Sequence, residues 1–167
     1  NTNILGTFNV IKIANKINVK HLIIGSSSSV YGANKKFPFK EIDKTDHQVS
    51  FYAATKKSTE SLAHSYSSLW KLPITMLRFF TVYGPWGRPD MALFMFTRAM
   101  LAGDTINVFN NGQMVRDFTY IDDIAEGVIR VLDKVAEPNP DFDPLQPDPQ
   151  TSKAPFRVFN IGNGNPT

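Results

Sequence analysis

The 167-residue sequence contains no cysteine. This excludes a disulfide scaffold, a thiolate nucleophile and a Cys-ligated metal. It holds only three histidines, His21, His47 and His64, and no two are four residues apart, so a helix of the HExxH type is excluded too. No metal site is expected. No apolar run approaches the ~18 residues of a membrane span; Met91 to Phe96 is far too short. No secretory leader opens the chain as it stands, so the expectation is a cytoplasmic protein that engages no membrane. Charge of one sign is also scarce. The net charge is +3, and Lys35-Lys36 and Lys56-Lys57 are the only adjacent cations. No nucleic-acid partner is expected. What is present, 42% hydrophobic and 20% charged residues, is the balance of one globular domain with a sizeable core.

The order of elements alternates. Ile4, Phe8, Ile11 and Ala14 share a helical face and predict a helix over about 2–18. His21 to Gly25 predicts a short strand, followed by the turn Ser26-Ser27-Ser28-Ser29 and a polar loop. Ser50 is an N-cap for a helix to about Lys71. Ile74 to Phe80 is a second strand, and Gly84 to Gly87 a loop. Asp90 caps a third helix that Gly103 ends. Ile106 to Phe109 and Phe118 to Ile121 are extended, and Asp122 caps a fourth helix with Ile124, Val128, Val131 and Val135 on one face. Six of the 11 prolines then fall between Pro138 and Pro155, which must be loop, before a strand from Phe156 to Ile161. Strands alternating with helices predict an α/β fold with a parallel sheet. In such sheets chemistry sits at the carboxyl ends of the strands, where the serine turn and Thr81 to Gly84 both fall.

Tyr52 and Lys56 are one helical turn apart and share a face. An ammonium beside a phenol favours the phenolate, which suits a tyrosine to general-base work near neutral pH. On spacing alone the two are equally an exposed helix pair. The serine run lies 23 to 26 residues before Tyr52, across one strand-loop-helix connection, a distance that lets a hydroxyl meet the phenol at one sheet edge. By itself it is equally an ordinary turn.

Together these residues resemble the extended short-chain dehydrogenases/reductases, the sugar-nucleotide epimerases and dehydratases. Ser26 to Gly32 (SSSSVYG) is similar to the family's Ser/Thr motif, and Tyr52 to Lys56 to its YxxxK motif. Arg78 to Pro85 (RFFTVYGP) is similar to the substrate-loop segment, and Arg116 to Asp123 (RDFTYIDD) to the nucleotide-gripping segment. Asn160-Ile161-Gly162 resembles a late strand, and Asn3 to Val10 the helix whose leading Asn touches the cofactor. The resemblance implies part of a doubly wound Rossmann-type sheet, NAD as cofactor, a UDP-sugar as substrate and a homodimer in the full-length form. It implies residues 1–80 as the second half of the NAD-binding domain. Residues 81–167 become a mixed substrate-binding portion that returns to the main sheet, with its Pro-rich loop near 137–155. Tyr52, Lys56 and Ser27 are then the catalytic residues. Asn3, Tyr52, Lys56 and Phe79 contact the cofactor, and Ser28, Ser29, Thr81, Arg88 and Arg116 the substrate. For Val108 and Phe109 a border to uracil and a strand core stay equally open. Asp122-Asp123 is a helix cap rather than a metal site. The family's Gly-rich dinucleotide turn is absent from these residues, and Asn1 is not an initiator methionine. The expectation is a central piece of a longer enzyme, inactive and a poor binder of NAD in isolation.

Within the family, dehydratases resemble an Asp-Glu pair after the catalytic hydroxyl and uronate decarboxylases a Ser-Thr-Ser-Glu run. Here Ser27-Ser28-Ser29 carries no carboxylate. A neutral hydroxyl cluster suits holding a substrate carboxylate without repulsion. Thr81 stands where galactose-type epimerases usually have Asn, and Thr81 to Phe94 resembles UDP-glucuronate 4-epimerases. The expected reaction is 4-epimerisation of UDP-glucuronate through a 4-keto sugar, in acidic-polysaccharide synthesis. The alternatives are a UDP-glucose/galactose 4-epimerase, a UDP-glucuronate decarboxylase, or a non-catalytic nucleotide-binding module.

Overall fold

Consecutive apolar positions make a strand that can be buried on both faces. Leu22–Ser27 (β1) and Ile74–Phe79 (β2) are such strands, and β2, buried along nearly its whole length, is the centre of the main sheet. It pairs in parallel with β1, Leu22 opposite Ile74 and Ser27 opposite Phe79, and on its other edge with Phe156–Ile161, the last strand of the chain. The computed structural model describes residues 2–167, the side chain of Phe109 excepted. A two-stranded parallel ribbon, Thr81–Tyr83 (β3) with Phe118–Tyr120 (β4), continues from the end of β2; the last strand is therefore β5. The sheet order β1-β2-β5 confirms the α/β fold with a parallel sheet.

A π-turn over Thr2–Gly6 leads into Thr7–Lys16 (α1). Phe51–Trp70 (α2) starts where Ser50 accepts the Ala53 N–H at 3.1 Å, as its N-cap role predicts, and stops where Lys71 turns left-handed with φ 60°. Ile11 and Ala14 of α1 and Ala63 of α2 pack with Ile74, Met76, Phe156 and Val158 into one core. Ile4, expected on the same face, is exposed. Ala92–Ala102 (α3) ends at Gly103, as expected, and Ile121–Leu132 (α4) buries Ile124 and Val131. Among the described residues no helix is long and apolar enough to cross a membrane.

Four expectations are corrected. The first strand does not stop at Gly25, because Ser26 and Ser27 pair with Arg78 and Phe79; only Ser28 and Ser29 belong to the 3₁₀ turn that follows, Ser28–Tyr31. Asp90 does not cap α3. The cap position is Met91, and the Asp90 carboxylate is taken by Arg88. Asp122 does not cap α4 either; Tyr120 holds that position, and Asp122 and Asp123 lie in the first turn, where they complement the helix dipole. Ile106 to Val108 form no strand, since they pair with no other segment among the described residues, and Val108 is exposed. The Phe109 side chain lies outside the described residues.

Candidate active site

The carboxyl ends of β1 and β2 meet the first turns of α2. Ser27, the last residue of β1, starts the 3₁₀ turn: its Oγ accepts the Ser29 N–H at 3.2 Å and donates to Ser29 Oγ at 3.1 Å. Tyr52 is 49% exposed, and its hydroxyl makes no hydrogen bond among the described residues. One turn on, Lys56 Nζ donates to the Gly25 carbonyl of β1 at 2.9 Å, not to the phenol. Asn3 Nδ2 donates to Thr55 Oγ1 at 3.0 Å, which brings the first turn of the chain to α2. Phe79 lies across Gly25, where an added Cβ would sit 3.3 Å from its ring. Lys56 and Phe79 thus both meet Gly25 of β1, Tyr52 lies one turn before Lys56 on α2, and Asn3 reaches the neighbouring Thr55.

Beside them opens a cavity of about 530 Å³. Ser28, Ser29, Thr81 and Arg116 all line it, together with Phe37 to Phe39 and Asn160. Four of the five residues implied for substrate are therefore brought together. Arg88 is not. It is surface-exposed and forms a two-pronged ion pair with Asp90, at 3.0 and 2.9 Å. The carboxylate in the lining, Asp117, is already engaged. Its oxygens accept from Asn163 N at 2.9 Å, Gly164 N at 2.7 Å and Thr119 Oγ1 at 3.1 Å. Asp117 keeps its negative charge, but its oxygens are occupied and do not compete for the hydroxyl donors of the cavity.

Behind the site runs a buried polar chain that sequence reasoning missed. Glu60, one turn beyond Lys56, accepts from Arg78 Nε at 2.9 Å and Nη2 at 3.0 Å, and from Ser26 Oγ at 2.7 Å. Arg78 Nη1 donates to Tyr31 OH at 3.0 Å, and Tyr31 OH donates to Asn160 Oδ1 at 2.7 Å. Burial by itself would raise the Glu60 carboxyl, but the Arg78 fork and Ser26 hold it below the usual carboxylate value. Burial likewise works against the Arg78 charge, and Glu60 more than offsets it, so Arg78 is held above its ordinary value. Burial raises Tyr31 in spite of the adjacent guanidinium. A sequence signal did exist. An arginine inside an apolar strand has no route to water and must meet an acid.

The sequence model described as the NAD dependent epimerase/dehydratase family matches residues 1–162. Protein CapI of Staphylococcus aureus is 54% identical over 165 residues, 99% of this chain and 49% of that protein. The probable UDP-glucuronate 4-epimerase of Rhizobium meliloti (strain 1021) is 50% identical over 165 residues, 98% of this chain and 48% of that protein. The crystal structure of UDP-glucuronic acid 4-epimerase from Bacillus cereus, in complex with UDP-glucuronic acid and NAD, is 33% identical. It superposes with a TM-score of 0.80 over 99% of this chain and 47% of that one. The chain spans about half the length of the curated relatives it matches.

Proposed function

The chain belongs to the NAD dependent epimerase/dehydratase family, and on that premise we propose that it carries the catalytic centre of an NAD-dependent 4-epimerase of UDP-glucuronate. The observation that carries the reading is the cavity. Ser28, Ser29, Thr81 and Arg116 share it, and its carboxylate, Asp117, is tied up by backbone N–H groups. Such a site can accept an anionic sugar, since three hydroxyls can donate to its carboxylate and the Asp117 oxygens are already filled by other donors. The Bacillus cereus enzyme, named for this reaction, supports the choice of substrate.

The residues fit the ribose end of a dinucleotide. Lys56 spends one of its three donors on Gly25 O and has two left for ribose hydroxyls. A side chain at Gly25 would press on the Phe79 ring at 3.3 Å and make it shift. Asn3 keeps its amide oxygen free to accept. When bound, NAD supplies the hydride acceptor and donor that a transient 4-keto sugar requires. Tyr52 takes the proton of the 4-hydroxyl and returns it, which its unpaired hydroxyl permits. Lys56 holds positive charge beside the phenolate. Ser27 holds the C4 oxygen by a hydrogen bond. Ser28, Ser29 and Thr81 grip the C5 carboxylate and keep it off the axis for C–C cleavage. Arg116 binds the diphosphate as a planar fork. Arg88 would join it only by exchanging Asp90 for phosphate oxygens. The work belongs to the full-length protein, as a dimer; this piece alone holds NAD poorly, and micromolar NAD binding to it would contradict that.

The test is a product assay by NMR on the full-length protein with UDP-glucuronate and no added NADH. UDP-galacturonate without pentose is expected. UDP-pentose would make it a decarboxylase. Turnover of UDP-galactose alone would leave the Tyr52–Lys56 chemistry standing and move the substrate to neutral sugars. Thr81→Ala and Ser28→Ala should raise the share of pentose; an unchanged ratio overturns the carboxylate grip.

A further inference from the structure

One wall of the cavity has no regular element to hold it. Phe37, Pro38 and Phe39 line the cavity from the irregular segment between the 3₁₀ turn and α2. Irregular segments with few buried contacts open easily. Apart from bonds within the segment, residues 37–41 are tied down at three points. Asn160 Nδ2 donates to the Phe39 carbonyl at 3.1 Å, and the Asn160 N–H donates to Glu41 Oε1 at 2.9 Å. The Tyr31 ring stacks on Phe39, centroids 4.5 Å apart and planes 12° from parallel. All three ties end on Tyr31 and Asn160, and those two are joined to each other and to the Arg78–Glu60 pair. Arg78 also lies 4.8 Å over the Tyr31 ring.

A buried ion pair is a costly way to fill a core, and here it aims one remaining donor, Arg78 Nη1, at the group that carries the loop. We propose that Glu60, Arg78, Tyr31 and Asn160 form a latch that fixes residues 37–41 as the wall of the substrate cavity. These are positioning residues. They act through the loop on sugar-nucleotide affinity and leave the proton transfer at Tyr52 alone. The inference rests on the reading of the cavity as the substrate site.

Three variants of the full-length protein test it. Tyr31→Phe keeps the stacked ring and removes both hydrogen bonds of the hydroxyl. Glu41→Ala cuts the far end without touching the buried pair, and Glu41→Gln restores an acceptor. Hydrogen exchange over residues 36–44 reads the loop directly, through the Lys40 N–H to Asp43 and Asp43 N–H to Lys40 bonds within it. In Tyr31→Phe and Glu41→Ala that exchange should rise about tenfold, with α2 unchanged. KM for UDP-glucuronate should rise about fivefold while kcat stays within about twofold, the scale of one lost hydrogen bond. Glu41→Gln should recover both. Unchanged exchange overturns the latch. Raised exchange with unchanged KM overturns the wall's role in binding. A wild-type protein inactive on every UDP-sugar defeats the epimerase reading instead, and the exchange result still decides the latch.

Discussion

Two residues four apart from the same lysine stand in opposite surroundings on α2. Tyr52 lies before Lys56 with an exposed, unpaired hydroxyl, whereas Glu60 lies after it, 4% exposed and fully paired. Substitutions at the two should separate cleanly. Tyr52→Phe is expected to lower kcat by about 10²–10⁴-fold, the usual weight of general acid–base catalysis, with the thermal midpoint unmoved. Glu60→Gln leaves the Arg78 charge buried without its counter-ion, which costs about 3–5 kcal/mol of stability. Urea unfolding and initial rates on both variants of the full-length protein check this. A loss of stability without loss of rate in Tyr52→Phe would remove the tyrosine from the chemistry. Of these two residues the sequence singles out only Tyr52 as a candidate. Its signal is a spacing within one helix, while Glu60 acquires its role from Arg78, 18 residues away and on another element.

Elements were legible where their signals are local. The Ser50 cap, the Gly103 stop and the apolar runs of β2 and β5 all behave as their own residues dictate. The errors arise where a partner decides. β1 runs on through Ser26 and Ser27, poor strand formers, because β2 supplies the ladder; Ile106 to Val108, better strand formers, have no ladder to join. Asp90 loses its cap role to Arg88. The turn after β1 holds one position that tolerates no side chain. Gly32 closes it with φ 54° and ψ −117°, and a Cβ there would run into the His47 carbonyl, which accepts the Ala33 N–H at 2.9 Å. Gly32→Ala should cost about 1–3 kcal/mol from backbone strain alone. Because Gly32 also lines the cavity, substrate affinity should fall with stability. A calorimetric midpoint equal to that of the wild type would show that the 33–47 segment gives way without cost.

At the scale of the molecule, the two ends of the parallel sheet carry different burdens. The carboxyl end borders the cavity lined by Ser28, Ser29 and Thr81. The amino end holds a cluster with no counterpart in any motif: His21, Thr75, Arg157 and the end of α4. His21 Nδ1 faces the Leu132 carbonyl at 3.3 Å, and its Nε2 lies 2.8 Å from Thr75 Oγ1, which already accepts from Arg157 Nε at 3.1 Å. A neutral ring with its proton on Nδ1 satisfies both contacts, donating to Leu132 and accepting the Thr75 hydroxyl. A protonated ring loses the acceptor and gains a charge beside Arg157. Burial lowers the His21 pKa below the ordinary 6.5, the Leu132 bond opposes that, and Arg157 adds to it. Since the folded value is depressed, the unfolded chain takes up the proton first. The stability contributed by neutral His21 is therefore present above pH 6.5 and is lost as pH falls through the folded value. Glu60, also depressed, adds a second loss that begins only near its ordinary 4.5. Urea midpoints of the full-length protein should thus fall as the pH drops below 6.5 and fall further below pH 4.5, at steps set by the proton uptake. In His21→Gln the first fall should shrink by the His21 share and the second persist, because the amide of Gln can serve Leu132 and Thr75 without titrating, while His64, also held below 6.5 by burial, keeps its own share. A variant that kept the whole first fall would place the proton on another group and leave the amino end of the sheet neutral to pH.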